Sequence, residues 1–142
     1  MRKFREHHIF EIFEKGDASR LPFDAFLRGY FRQHKSIGSK DRQEICETIY
    51  GMIRWKGLLD YLCKKPINWK KRFEVFQKIN PLDFKHKKDL PLHVRLSFPK
   101  FLFHRFSEAY GEEKAATLCL NSNLQAPTTI PVSYTHLTLP TT

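Results

Sequence analysis

Glycine and cysteine are scarce in this chain, six and three among 142 residues, and their scarcity narrows the reading at once. No glycine-rich loop or GxGxxG follows a strand pattern, so no phosphate-cradling turn is encoded. Cys46, Cys63 and Cys119 are odd in number, form no CxxC pair and have no histidine at zinc-ligand spacing. Neither a disulfide framework nor a metal site is indicated, and the three read as small core residues. An apolar run long enough to span a membrane is missing. The N-terminal MRKFREHHIFEIFEKG carries acidic residues where a signal peptide needs an uninterrupted apolar stretch. The expectation is a reduced, cytoplasmic protein without membrane contact. Long alternating strand patterns and internal repeats are absent too.

What the chain does hold is aromatic and basic. Thirteen phenylalanines and a 41 % apolar fraction indicate a globular protein with an aromatic core. The length fits one domain and is too short for a helical domain together with a second, nucleotide-binding fold. The formal net charge is +10, unevenly spread: residues 1 to 63 carry twelve basic and nine acidic side chains, residues 64 to 104 eleven and three. Such an excess favours polyanions through counterion release. Charge alone does not separate RNA from DNA, from an anionic membrane, or from a merely solvated basic surface.

Apolar residues recur at helical spacing along most of the chain. Phe4, Ile9, Phe10, Ile12 and Phe13 predict a helix from Lys3 to Lys15, closed by Gly16. Arg2, Lys3 and Arg5 at its start oppose the helix dipole, and fraying is expected there. Pro22 suits a first helical position, and Phe23, Phe26, Leu27, Tyr30 and Phe31 form a strong apolar stripe behind it. Ser39 is placed as an N-cap for a helix from Lys40 to about Lys64. Its stripe is Ile45, Ile49, Met52, Ile53, Leu59 and Leu62, with a close contact or a break near Gly57. Pro66 ends that run, and Trp69 to Ile79 begins another. A polar loop from Asp83 to Pro91 and a turn at Leu92 to Leu96 follow. Helices from Pro99 to Tyr110 and from Glu112 to about Asn121 are separated by a stop at Gly111. About seven helices with short connections predict an all-α bundle.

Two stretches carry a family resemblance. SFPKFLFHRFSEAYGEEKAATLCLNSNLQAPTTI, Ser97 to Ile130, resembles the junction at which a helical NusB-like domain meets the catalytic part of RsmB/Sun/Nop-family RNA cytosine-5 methyltransferases. LPFDAFLRGYFRQHKSIGSKDRQEICETIYGMIRWKGLLDYL resembles the NusB-type domain itself, through its Arg-rich helix, Gly-Ser-x-Asp-Arg loop and Tyr-Gly-x-x-Arg helix. Each motif is moderately specific, and their order and spacing strengthen the match. The resemblance implies a NusB-like bundle over residues 1–120 and the start of a junction at 121–130. It further implies a ribosomal RNA partner and an intramolecular methyltransferase domain that is missing here. In that family the Ala-Pro-x-x-Ile is typically followed by Arg-Val-Asn; here Pro131, Val132 and Ser133 follow. Residues 131–142, PVSYTHLTLPTT, carry no Lys, Arg, Asp or Glu and resemble a peptide translated through sequencing-adapter DNA, so they read as a non-native tail.

The family's reaction uses S-adenosylmethionine and a cysteine nucleophile, both implied for the full-length enzyme and lying beyond Ile130. Cys46, Cys63 and Cys119 match neither catalytic cysteine, so this chain is expected to bind no cofactor and to be catalytically silent. Seven histidines, His7, His8, His34, His86, His93, His104 and His136, are scattered and read as surface or half-buried. Binding remains. Arg28, Arg32, Lys35, Lys40, Arg42, Arg54 and Lys56 flank the second and third helices, and Lys70, Lys71 and Arg72 form a second basic row. Either could contact RNA phosphates without reading sequence, and either could be a solvated face. Tyr30, Trp55 and Trp69 could stack on bases or serve the core. A free-standing NusB-like factor binding RNA or a transcription protein is the alternative, and a basic protein–protein module is a third reading.

Overall fold

The computed structural model describes residues 3–124, and every described element is helical. Arg2, the Ala126 to Ile130 junction and the 131–142 tail lie outside the described residues. In chain order the helices are α1 (Lys3–Ala18), α2 (Phe23–Gln33), α3 (Ser39–Arg54), α4 (Lys56–Leu62), α5 (Trp69–Lys78), a 3₁₀ helix (Pro81–His86), α6 (Leu92–Arg95), α7 (Lys100–Tyr110) and α8 (Glu112–Asn123). Seven of these have seven residues or more. The all-α bundle read from periodicity is what the chain forms.

The core collects one stripe from each of the first five helices. Ile9, Ile12 and Phe13 of α1 meet Leu27 and Tyr30 of α2, Ile45, Ile49 and Met52 of α3, Leu58 and Leu59 of α4, and Phe73 of α5. Each such burial stabilises by roughly 1.5–3 kcal/mol before chain entropy is set against it. α1 packs against α2, α3 and α5, while α7 and α8 pair as a hairpin joined to the body through α6. No described helix is long and apolar enough to cross a membrane.

Several boundaries differ from the sequence reading, each for a local reason. α1 runs through Gly16 to Ala18, because Gly16 lies on a packed face where a Cβ would come 3.1 Å from the Phe23 ring. Arg5, expected at a frayed end, is instead seated: only 12 % exposed, it binds Asp41 of α3 at 2.7 Å. A tertiary carboxylate outweighs the unfavourable dipole position. Gly38, not Ser39, caps α3, and no side chain bonds the end. Pro22 stands at the N-cap position of α2, just before its first helical residue.

The expected break in the long third helix falls at Trp55 (φ −100°, ψ 15°), two residues before Gly57. Trp55 N donates to Gly51 O and Trp55 O accepts from Leu59 N, so one helix ends and the next begins on this residue. The turn brings Leu58 into the core beside Leu59 and leaves Ile53 39 % exposed. Both glycines instead permit close approaches. A Cβ at Gly51 would lie 2.8 Å from Phe76 Cζ, and one at Gly57 3.2 Å from Ser97 Oγ. Ser97 has φ 55° and accepts from the Leu58 N–H near the start of α4. A left-handed serine thus supplies the cap that α4 lacks locally.

Candidate nucleic-acid interface

α2 is amphipathic at high contrast, and its polar side is basic. Arg28, Arg32 and Lys35 follow at helical spacing, all exposed, the last just past the α2 C-terminus. The short loop to α3 then turns the chain back, and Arg42 on the first turns of α3 faces the same space. Its Nε donates to the Ile37 carbonyl at 2.9 Å, and its guanidinium lies over the Phe31 ring, 5.6 Å from the centroid. Arg28, Phe31, Arg32, Lys35 and Arg42 together line an open cleft of about 660 Å³. Among the described residues, no carboxylate lines it. Among the described residues, none of these four cations has a salt-bridge partner.

That arrangement suits a phosphate chain. Three long cations can adjust to a backbone, one fixed guanidinium gives a directional anchor, and the partly exposed Phe31 offers an apolar wall. Exposed cations concentrated without counter-charge also repel one another, a cost that an anion relieves.

The other candidate residues separate from this cleft. Lys40 is exposed at the start of α3. Arg54 lines a different groove, with Gln43, Cys46, Glu47 and Tyr50. Lys56 is paired with Asp60 at 3.0 Å within one helix. In the second basic row, Arg72 bonds Asp60 at 2.5 Å and lies 4.3 Å above the Trp69 ring. Lys71 Nζ donates to the carbonyl of Pro66 at 2.7 Å and, more distantly, to that of Lys64. Only Lys70 of the three is exposed. The row read as contiguous on the sequence is in space one exposed lysine beside two cations with internal partners.

The aromatic candidates are occupied as well. Tyr30 and Trp55 are buried. Trp69 is half-buried, with Phe13 stacked at 3.9 Å and 7° on one face, Arg72 on the other, and its indole N–H donating to Asp17 at 2.6 Å.

Burial raises the thiol pKa of Cys46, Cys63 and Cys119 above the ordinary cysteine value, with Glu47 and Asp60 adding to the rise at the first two. Cys119 is buried, and Cys46 and Cys63 are half-buried. A raised thiol is a poor nucleophile at neutral pH.

One cluster has no counterpart in linear spacing. His8 is buried, against the expectation of surface or half-buried histidines, and the fold carries His34 to it from the end of α2, with Glu11 alongside. His8 and Glu11 share a face of α1; nothing in the sequence marks the third member.

Comparison with family models, with curated proteins and with solved structures returned no match.

Proposed function

We propose that this chain is the RNA-binding, NusB-like helical domain of an RsmB/Sun/Nop-type RNA cytosine-5 methyltransferase, docking ribosomal RNA for a catalytic domain that performs the methyl transfer. The observation that carries the reading is the α2–α3 cleft, four cations and one aromatic without a carboxylate. On this reading Arg28, Arg32 and Lys35 take phosphates, Arg42 anchors one of them through its fixed guanidinium, and selectivity follows RNA shape. S-adenosylmethionine and the reacting cysteines belong to the catalytic domain. The described thiols, all shifted toward the protonated form, suit a structural role.

The far end of the bundle supports a packed neighbour. α7 buries none of its residues fully, and Phe101 (70 % exposed), Tyr110 and Leu118 present apolar surface on the α7–α8 hairpin. A methyltransferase domain would cover such a face.

The test is RNA affinity of the full chain between 50 and 200 mM salt, for single-stranded and duplex RNA, with Arg28→Glu, Arg32→Glu and Lys35→Glu combined. Each lost single-strand phosphate contact lowers the slope of log affinity against log salt by about 0.7, so three lower it by about 2. Over this fourfold salt range the native chain should therefore lose about 18-fold more affinity than the variant. Equal slopes with unchanged helicity would remove the cleft from the interface. In the source DNA, a frame continuing past the Ile130 codon into Arg-Val-Asn and a later Pro-Cys motif supports the methyltransferase reading. A stop codon after the tail supports the free-standing factor.

A further inference from the structure

Two turns of α1 and the last turn of α2 bring three donor side chains together at the side of the bundle. One ligand-capable atom from each of His8, Glu11 and His34 lies within 4.8 Å of the other two. In tetrahedral zinc coordination, bonds of about 2.0–2.1 Å place donor atoms roughly 3.3 Å apart. Side-chain rotation of about 1.5 Å at most closes the difference. His8 and Glu11 are held on one helical face, and His34 is held by its own backbone turn.

Hydrogen bonds to Tyr30 hold both imidazoles. His34 Nδ1 is 2.8 Å from the Tyr30 carbonyl, which can only accept, so Nδ1 carries the proton and Nε2 keeps a lone pair. His8 Nδ1 is 2.6 Å from the Tyr30 hydroxyl. In the tautomer that donates Nδ1–H to this hydroxyl, His8 likewise keeps a free lone pair on Nε2. Ligating histidines are held in this way, the far nitrogen donating to a carbonyl or an oxygen so that the near one is oriented and basic. Tyr30 serves both rings, and it stacks on His34 at 4.0 Å.

We propose that His8, Glu11 and His34 form a binding site for one zinc-class divalent ion, which would fasten α1 to the C-terminal end of α2 and leave the fourth position to water. Two imidazoles and a carboxylate suit Zn²⁺ over Mg²⁺ or Ca²⁺, which prefer all-oxygen sets. The charged groups facing the site are His7, 3.2 Å from Glu11, and Lys15, 2.5 Å from Glu11. Lys15 competes with the ion for the carboxylate.

The experiment is calorimetric titration of the full chain, stripped with chelator, with zinc chloride and separately with magnesium chloride. Co²⁺ serves as the spectroscopic probe. One zinc equivalent should bind, raise the melting temperature and find no magnesium counterpart. His34→Gln and Glu11→Gln should each weaken zinc at least tenfold with helicity retained, whereas Lys15→Gln should tighten it. The cobalt form should show visible bands without the near-ultraviolet charge transfer of a thiolate. Equal zinc affinity in the native chain and in His34→Gln, no zinc binding, or a thiolate band would each overturn the assignment.

Discussion

Adding a single methyl group at Gly51 sets helix propensity against packing, and the geometry indicates which wins. Gly51 is buried in α3, and alanine there would gain about 1 kcal/mol of helix propensity. Its Cβ would lie 2.8 Å from Phe76 Cζ, where ordinary contact begins at 3.4 Å, so the ring must retreat by about 0.6 Å. Rotating the ring about its own axis does not help, because Cζ lies on that axis. Relief requires the Phe76 side chain to swing at Cα–Cβ, or α5 to move away from α3. Overpacking of this kind costs about 1–3 kcal/mol, and the missing soft route places Gly51→Ala toward the upper end. Net destabilisation should be about 1–2 kcal/mol, a fall in melting temperature of roughly 3–8 °C for a chain of this size. Urea and thermal denaturation followed by far-ultraviolet circular dichroism measure it. The control is Phe76→Leu: in that background Gly51→Ala should become stabilising by up to about 1 kcal/mol. A higher melting temperature for Gly51→Ala in the native background would refute the argument, since propensity would then outweigh the clash.

Ser97→Ala should cost about 1 kcal/mol by leaving the Leu58 N–H without its acceptor, and Ser97→Gly less, because glycine relieves the positive φ; chemical denaturation of the pair checks the order. Arg72→Ala should lower stability by about 1–2 kcal/mol through lost stacking on Trp69 and a lost partner for Asp60, with Lys70→Ala leaving the melting temperature unchanged. The thiols of Cys46, Cys63 and Cys119 are raised, so at pH 8 less thiolate is present than in free cysteine. Alkylation by iodoacetamide should therefore be slower than for the free amino acid and keep accelerating at pH values where the free thiol has levelled off, a difference that denaturation in guanidinium should erase.

Periodicity was enough to locate the helices because each buries one stripe, and a stripe is a local property of the sequence. Phe23, Phe26, Leu27, Tyr30 and Phe31 announce α2 with no knowledge of its neighbours. Where the sequence reading departs from the structure, the deciding partner is distant in the chain. Gly16 looks like a stop until Phe23 and Phe26 are seen against it, and Arg5 looks misplaced until Asp41 is found. The polar segment after Asn80 forms a 3₁₀ helix beginning at Pro81, its first turn capped by the Asn80 side chain, a short local signal that composition alone hides. The same rule governs the sites. Spacing puts Arg28, Arg32 and Lys35 in one row, but the arrival of Arg42 depends on the turn between α2 and α3. The internal engagement of Lys71 and Arg72 depends on Asp60 and the Pro66 loop. His8, Glu11 and His34 are joined only when α1 and α2 pack.

The seating of Trp69 against α1 also makes it an internal gauge. The chain has two tryptophans, and this one touches α1 on two sides, through the ring of Phe13 and the carboxylate of Asp17. Trp55 instead sits at the α3–α4 turn. With Trp55→Phe, ultraviolet emission would come from Trp69 alone. Its colour and yield would then follow whether α1 is seated on α5, so the detachment of one helix could be timed in solution without attaching any dye.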